Sequence, residues 1–132
     1  MKKNSVPFGR AMDIKVAFCN GIGVDASGVK RMIWISGQLA FDPNGNFMGK
    51  GDIRVQTEQV LKNIKGIVEK LGGTMADIVQ VTVFVKDMGG LKDIHDVRLK
   101  YFPKPYPTST LIEVKGFVHP DALIEINAMA AL

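Results

Sequence analysis

The sequence predicts one α+β domain in which two helices cover one face of a single mixed β-sheet. Three observations lead to this fold class. The chain has 132 residues, which is room for one hydrophobic core but not for two domains. Two segments place apolar residues at helical spacing. Five short segments have the composition and alternation of strands, and the order along residues 1–132 is ββαβαββ.

The composition is that of an ordinary folded protein. Hydrophobic residues make up 46% of the chain and charged residues 23%. The net charge of +4 comes from basic residues that are scattered along the sequence. A scattered excess of this size favours solubility over nucleic-acid binding.

Several features predict a protein of the reducing cytosol. Cys19 is the only cysteine, so no disulfide can form within the chain. Residues 2–5 are charged or polar and do not lead into the apolar segment that a signal peptide needs. The most apolar stretch, Met32–Phe41, is too short to cross a bilayer. We therefore expect a cytoplasmic protein with no membrane partner.

The first two predicted strands are Ala17–Val24 and Arg31–Ser36. Between them lies Asp25–Gly28, whose polar and glycine residues are typical of a hairpin turn. A second turn at Asp42–Asn46 contains both proline and glycine and separates the second strand from the first helix.

The first predicted helix runs from Ile53 to Leu71. Asp52 is a suitable N-cap, and Gly72 supplies the left-handed exit that commonly ends a helix. A second helix is predicted over Leu91–Tyr101, before Pro103. The apolar residues expected to face the core are Val60, Ile64, Ile67, Val68 and Leu71 in the first helix and Leu91, Ile94, Val97 and Tyr101 in the second.

Three further strands are predicted at Ile78–Lys86, Thr108–Lys115 and Ala122–Ala130. A turn around Gly116 and His119 joins the last two. Strands separated by a helix are usually parallel, and strands joined by a short turn are usually antiparallel. The sheet should therefore be mixed.

Alternation along the late strands predicts two different faces of the sheet. One face is apolar throughout, with Val79, Val81, Val83 and Val85 in one strand and Ile124, Ile126, Ala128 and Ala130 in the last. The other face mixes polar residues with the apolar Phe84, Leu111, Leu123 and Met129. Two helices cover only one face, so this mixed face needs a partner. Its polar residues Ser109, Glu125 and Asn127 form either a site or hydrogen bonds across a subunit contact.

Separated blocks of the sequence resemble one protein family. They are residues 35–38 (Ile-Ser-Gly-Gln), 51–53 (Gly-Asp-Ile), 82–87 (Thr-Val-Phe-Val-Lys-Asp), 112–114 (Ile-Glu-Val) and 124–126 (Ile-Glu-Ile). In this order and spacing they resemble the RidA (YjgF) reactive-intermediate deaminase family. The resemblance extends over nearly the whole chain and agrees with the ββαβαββ order.

The resemblance implies a homotrimer whose three sheets surround a central barrel, with a small-molecule cleft at each subunit interface. Enzymes of the family hydrolyse 2-imino or 2-enamino acids to 2-keto acids and ammonia, without cofactor or metal. An arginine holds the substrate carboxylate, and a glutamate positions water at the imine carbon. In physical terms, the arginine is a bidentate charged anchor and the glutamate a general acid and base.

Several family positions are matched in this sequence. Glu125 corresponds to the catalytic glutamate and Gly37 to the strand glycine. Phe18 stands where the family often has a tyrosine, which removes a hydroxyl group. Phe84 is expected to contact the substrate from the mixed face.

Other positions depart from the family pattern. Ser109, followed by Thr110, stands in place of the arginine, and His95 replaces a frequent asparagine. A hydroxyl cannot substitute for a guanidinium, so either the substrate differs or the activity is lost. Ser109, Thr110 and His95 could instead bind a neutral or larger ligand, with His95 as an acid or base near neutral pH. The alternative for His95 is a solvated helix residue.

The leading interpretation is a small-molecule hydrolase that deaminates an imine, an enamine or a related C–N substrate. The first alternative is a ligand-binding or regulatory trimer without catalysis. Relatives have been labelled ribonucleases or translation inhibitors, but the sequence gives no platform of aromatic and basic residues, so we expect no nucleic-acid partner. His95, His119 and Cys19 lack metal-ligand spacing, so no metal or cofactor is expected.

Overall fold

The computed structural model describes residues 2–10 and 13–132. It contains two helices that pack on one face of a mixed sheet, which confirms the predicted fold class. The elements in chain order are β1 (Lys3–Pro7), β2 (Cys19–Val24), β3 (Met32–Gln38), α1 (Ile53–Lys70), β4 (Ile78–Val85), α2 (Leu91–Tyr101), β5 (Thr108–Glu113) and β6 (Ile124–Ala131).

The main sheet has four strands in the order β3-β6-β4-β5. Strand β4 is parallel to β5 and antiparallel to β6, and β3 is antiparallel to β6. Strands β1 and β2 form a separate antiparallel pair. This pair lies beside the β5 edge, where the Cys19 amide donates to the Pro107 carbonyl at 3.0 Å.

The predicted hairpin between the first two strands is wrong. Residues Ala26–Gly28 form a 3-10 turn, and β2 pairs with the N-terminal strand β1 instead of β3. The sequence of β1, Lys-Asn-Ser-Val-Pro, lacks the apolar alternation that identifies a half-buried strand. The chain leaves β2 through the 3-10 turn and enters β3 on the far side of the sheet, next to β6.

The last two strands are also not neighbours, although a short connection joins them. Strand β6 lies between β3 and β4, and β5 lies on the other side of β4. Helix α2 connects β4 to β5 as a parallel crossover, which places β5 at the edge. Buried and half-buried side chains alternate along β6, because the helices cover only one face of the sheet.

The bounds of both predicted helices are confirmed within one residue, but Leu71, which was expected to face the core, is 43% exposed beyond the end of the first helix. The Asp52 carboxylate caps α1 by accepting from the amides of Arg54 at 3.0 Å and Val55 at 3.1 Å. Gly72, with φ of +92°, follows its end. In the described part of the chain, neither helix combines the length and the apolar character needed to span a membrane.

The core lies between the helices and the apolar face of the sheet. One predicted core residue of β4 is wrong, because a register shift between Ile78 and Gln80 turns Ile78, and not Val79, toward the helices. From Val81 onward the alternation is as predicted. The buried aliphatic side chains with at most 1% exposure include Val60, Leu61, Ile64, Val68, Ile78, Val81, Val83, Val85, Ile94, Val97, Ile124 and Ile126.

The two faces of β5 are the reverse of the prediction. Parallel pairing sets Leu111 beside the buried Val83, and Leu111 packs against the core. Ile112 pairs with Phe84 and is therefore the apolar residue that β5 contributes to the mixed face. Alternation separates the residues of a strand into two sets, but only the register with β4 decides which set meets the helices.

Candidate functional site

The mixed face carries a row of side chains that runs across three strands and ends at a carboxylate. Phe84 of β4 is paired with Ile112 of β5 on one side and with Glu125 of β6 on the other. The next row pairs Thr82 with Thr110 and with Asn127, whose amide oxygen accepts from the Thr82 amide at 3.2 Å. The predicted residues Phe84, Thr110 and Glu125 therefore share one surface.

A β-bulge brings Gly37 to the end of the row. The pairs on either side of the bulge are Ile35 with Ala128 and Gln38 with Ile126, so Ser36 and Gly37 together oppose Asn127. A Cβ atom on Gly37 would lie 2.8 Å from Cδ of Glu125 and would overlap its Oε2. The Glu125 carboxylate therefore rests on a strand surface that is open only because residue 37 has no side chain.

Glu125 lines an open groove with a volume of about 410 Å³. The other lining residues are Phe84, Val114, Gly116, Phe117 and Val118, so the carboxylate is the charged group in a largely apolar surrounding. Glu125 is half-buried, and its carboxylate forms no hydrogen bond or ion pair with any residue of 2–10 or 13–132. Its two oxygens are free to bind a ligand or to take a proton from water.

The mixed face also exposes large apolar side chains. Trp34 is paired with Met129 and is 69% exposed, Met32 is 47% exposed and Ile112 is 39% exposed. Side chains of this size on one continuous sheet face are typical of a surface that another chain covers. Leu123 and Met129, which the sequence placed on this face, are half-buried.

Ser109 is not on the surface that carries Glu125. It is paired with the buried Val81, so its side chain leaves the sheet on the face that the helices cover. Only Thr110, of the two hydroxyl residues predicted for the site, lies on the mixed face, where it is exposed. Within one chain, the position that replaces the family arginine is therefore separated from Glu125 by the sheet.

His95 is neither a solvated helix residue nor an acid or base near neutral pH. It is 3% exposed, and its Nδ1 accepts from the Ala17 amide at 3.2 Å. Burial, together with the nearby charge of Arg98, lowers the pKa of His95 to about 4, so the ring is neutral at pH 7. Its ring lies 5.8 Å from that of Phe18, centroid to centroid, so the two predicted residues are neighbours.

Phe18 belongs to a second cavity, with a volume of about 510 Å³. Aromatic side chains of three separate segments line it, namely Phe8, Phe18 and Tyr106, and so do the basic residues Arg10 and Lys104. Arg10 Cζ lies 5.2 Å from the centroid of the Phe8 ring, and Lys104 Nζ lies 6.0 Å from that of Tyr106. The sequence analysis did not foresee this cluster, because the five residues come together only in the folded chain.

Sequence reasoning missed Arg98. Its side chain is 2% exposed, its Nη2 donates to the Ala17 carbonyl at 3.2 Å, and its Nε has no hydrogen-bond partner among the described residues. Burial lowers the pKa of Arg98 to about 10, so the guanidinium is charged at pH 7. The signal in the sequence was that Arg98 directly follows Val97, which was expected to face the core. Only the structure shows that residue 17 covers this side of α2.

The described residues contain no group of three or more His, Cys, Asp or Glu side chains that could hold a metal ion. The Cys19 thiol is buried and free, and it donates to the Gly21 carbonyl at 3.3 Å. The available chemistry is thus that of one free carboxylate on the mixed face and of a cationic, aromatic cavity beside β2.

Comparison with known proteins gives consistent matches over most of the chain. The sequence model of a family described as Endoribonuclease L-PSP matches residues 20–132. A RutC family protein of Sulfurisphaera tokodaii is 43% identical over 103 residues, which are 78% of this chain and 82% of that protein. A RutC family protein of Pyrococcus horikoshii is 41% identical over 98 residues, 74% of this chain and 77% of that protein.

A solved structure agrees with the fold over its full length. The crystal structure of a protein of unknown function from Yersinia pestis, described as a member of the conserved Rid protein family, has a TM-score of 0.86 to this chain. The two chains are 28% identical, and the superposition covers 100% of each.

Proposed function

The chain belongs to the YjgF/RidA family, which the Endoribonuclease L-PSP model describes, and from this premise we propose that it is a cofactor-independent hydrolase of small imine or enamine substrates. Family membership supports a small-molecule hydrolase at the level of the family. The proposal for this chain is that a C–N substrate is converted to a carbonyl product and ammonia, with Glu125 as the general acid and base.

The single observation that carries the proposal is the position of Glu125 over Gly37. A carboxylate with no partner among the described residues sits beside Phe84 in an apolar groove, next to a bulge that exposes the backbone of residues 36 and 37. The carboxylate is within reach of a molecule bound in the groove, and bulges are frequent next to active sites. The agreement with the family position of the catalytic glutamate supports the same role.

The proposed reaction needs only water and the carboxylate. Water adds to the imine carbon while Glu125 takes one of its protons and passes it to the nitrogen, which gives a carbinolamine. Glu125 then takes the proton of the new hydroxyl group and delivers it to the nitrogen as the C–N bond breaks, so that ammonia leaves and a C=O group remains. Thr110 and Asn127 on the neighbouring row can donate hydrogen bonds to a polar substrate, and Phe84 and Ile112 can contact its apolar part.

We further propose that the mixed face is covered by two other copies of the chain in a homotrimer. The exposed Trp34, Met32 and Ile112 support this assembly, because they would otherwise face water. Closure of the groove by a second copy would also remove water from around Glu125, which strengthens its interaction with a bound substrate. The free thiol of Cys19 supports a cytoplasmic location.

The activity is tested by generating 2-aminoacrylate in place with a serine dehydratase and following keto-acid and ammonia formation. We expect the purified protein to accelerate hydrolysis, and Glu125→Gln to lower the rate by about 10²- to 10⁴-fold. A matched control is Glu113→Gln, because Glu113 is an exposed carboxylate at the end of β5 whose partner in the sheet is Val85, on the other face. The control variant should retain the wild-type rate.

Two results would contradict the proposal. If neither aminoacrylate nor larger imines are consumed faster than in buffer, the protein is not a deaminase. If Glu125→Gln and Glu113→Gln behave alike, the activity does not depend on the groove.

The presence of Ser109 favours a second candidate function, a trimer that binds a ligand without converting it. The chain lacks an arginine at this position, and a serine hydroxyl supplies neither the charge nor the two parallel donors that hold a carboxylate. Ligand binding that is tight and independent of Glu125, with no turnover, would favour this candidate. If Ser109→Arg creates deaminase activity, residue 109 of one copy reaches the Glu125 groove of another, and only the anchor has changed.

A further inference from the structure

We propose that the cavity formed by Phe8, Phe18 and Tyr106 binds the aromatic part of a carboxylate substrate, and that Arg10 and Lys104 hold its carboxylate in place of the missing arginine. The inference rests on the proposed function and on the proposed trimer: within one chain the cavity and the Glu125 groove share no lining residue, so the cavity of one copy must face the Glu125 groove of another. The ligand class is an aromatic 2-imino acid and its 2-keto acid product.

The aromatic residues form a preorganised corner. The rings of Phe8 and Phe18 are 4.7 Å apart, centroid to centroid, with an angle of 67° between their planes. This edge-to-face arrangement holds the two rings without help from a ligand. Tyr106 comes from the segment between α2 and β5 and lines the same cavity. A planar ligand is the shape that such a corner accepts.

The two cations are not neutralised by the described part of the protein. The Arg10 guanidinium carbon lies 5.2 Å from the centroid of the Phe8 ring, and Lys104 Nζ lies 6.0 Å from that of Tyr106. Both are exposed, and neither forms an ion pair or a hydrogen bond with a residue of 2–10 or 13–132. Their ring contacts keep them at the edge of the cavity, where an anion can bind.

A third positive charge lies behind the segment before β2 that carries Phe18. Arg98 is buried, donates to the carbonyl of Ala17, and has no carboxylate partner among the described residues. A buried guanidinium is poorly screened, so its field extends into its surroundings. The three cations come from different parts of the chain, and all lie on the side of the domain that holds the cavity.

The size of the cavity favours a single small molecule. Its volume of about 510 Å³ is within the range of small-ligand pockets and is mainly apolar, with the cations at the boundary. A nucleic-acid strand would need a groove in which basic and aromatic residues continue over several nucleotides. A small ligand with one aromatic ring and one carboxylate can pack its ring against the aromatic corner and pair its carboxylate with Arg10 and Lys104.

The test measures binding, not turnover, with full-length Glu125→Gln protein so that no substrate is consumed. The probes are 3-phenylpropanoate, its neutral amide 3-phenylpropanamide, propanoate without the ring, and adenosine 5′-monophosphate. Titration calorimetry and ¹H–¹⁵N spectra give the affinity and the residues that respond. We expect the carboxylate with the ring to bind most tightly, with shifts at Phe8, Phe18 and Tyr106.

Charge is removed from the cavity with Arg10→Gln and Lys104→Gln, singly and together. We expect the double variant to weaken 3-phenylpropanoate binding at least about tenfold and to leave the amide unchanged. Lys30→Gln is the matched control, because Lys30 is exposed and does not line the cavity. Both cavity cations are exposed, so the variants should fold as the parent does, which the spectra check directly.

The outcomes separate this inference from the proposed function. Binding that is equal for the amide, or unchanged in the double variant, overturns the inference even if the wild-type protein is a deaminase. Tighter binding of the mononucleotide also overturns it, in favour of a nucleotide site. Binding that depends on both cations supports the inference even if no deamination is detected. In an active enzyme, the double variant should raise KM for aromatic imines more than it lowers kcat.

Discussion

The side chain of Glu125 lies against the backbone of Gly37, and the space that it occupies is the space that a Cβ on residue 37 would need. A Cβ atom at residue 37 would lie 2.8 Å from Cδ and 3.1 Å from Cγ of Glu125, closer than side-chain atoms normally approach. The position of the carboxylate therefore depends on two strands: β6 carries Glu125, and the bulge of β3 leaves the space that its side chain fills.

Gly37→Ala should displace the Glu125 side chain and reduce activity. A methyl group at residue 37 overlaps the carboxylate, which must rotate away or push the bulge outward. A displacement of about 1 Å at a catalytic group costs on the order of 10²-fold in rate. The overpacking should also lower the free energy of unfolding by about 1–3 kcal/mol. Steady-state kinetics and urea denaturation measure the two effects.

The control for this substitution is Gly28→Ala. Residue 28 lies in the 3-10 turn, and a Cβ there meets no atom within 4 Å. Its activity should equal that of the wild type. Equal activity of Gly37→Ala and Gly28→Ala would mean that the position of the Glu125 carboxylate does not limit the rate.

Features that depend on neighbours in sequence were predictable. The limits of α1 follow from Asp52 and Gly72, and both act within a few residues of the helix end. The alternation of apolar and polar residues along β6 likewise placed Glu125 on the mixed face, where its neighbour in β4 is Phe84. Local chemistry was enough for these elements.

Features that depend on register or on distant segments were not predictable. Leu111 and Ile112 exchange faces according to the pairing of β5 with β4, and both sets of β5 residues contain polar and apolar members. The cavity of Phe18 needs residues near positions 8 and 106 to meet, and nothing in either segment indicates this contact. His95 is buried because residue 17 lies over α2, which helical periodicity alone does not reveal.

Trp34→Asp should prevent self-association. The side chain is 69% exposed on the mixed face, and a carboxylate in a subunit contact would be desolvated without a partner. Light scattering after size-exclusion chromatography should give about 43 kDa for three chains of 14.4 kDa in the wild type and a monomer for the variant. Burial of Trp34 in the wild-type assembly should also shift its fluorescence to shorter wavelength.

Leu71→Asp provides the comparison for Trp34→Asp. Leu71 is 43% exposed at the end of α1, on the side of the domain away from the mixed face. This variant should remain associated. If both variants are monomers, or if the wild type is one, the mixed face does not mediate assembly.

Gly66→Ala should stabilise the protein. Residue 66 is inside α1, and a Cβ there meets no atom within 4 Å, so alanine removes backbone entropy from the unfolded chain without a clash. We expect a gain of about 0.5–1 kcal/mol in the free energy of unfolding. Gly72→Ala should do the opposite, because its φ of +92° disfavours alanine. Thermal denaturation that shows the same sign for both would mean that backbone conformation does not govern the two positions.

His95→Asn should make stability less dependent on pH. Burial lowers the pKa of His95 from 6.5 to about 4, so between these values the unfolded chain binds a proton at residue 95 that the folded chain does not. The wild type therefore loses stability as pH falls from about 6.5 to 4, by up to about 3 kcal/mol at a pKa shift of this size. The full contribution of the neutral ring is present above pH 6.5.

Asparagine at residue 95 can accept the Ala17 amide through its side-chain oxygen, and it has no proton to gain in this pH range. Urea denaturation at pH 7, 5.5 and 4, at one protein concentration, should show a steep decline for the wild type and a shallower one for His95→Asn. Parallel declines would mean that His95 is protonated in the folded chain as readily as in the unfolded one. Burial and the charge of Arg98 would then fail to keep the ring neutral, and the packing of α2 against residues 17 and 18 would be looser than the structure indicates.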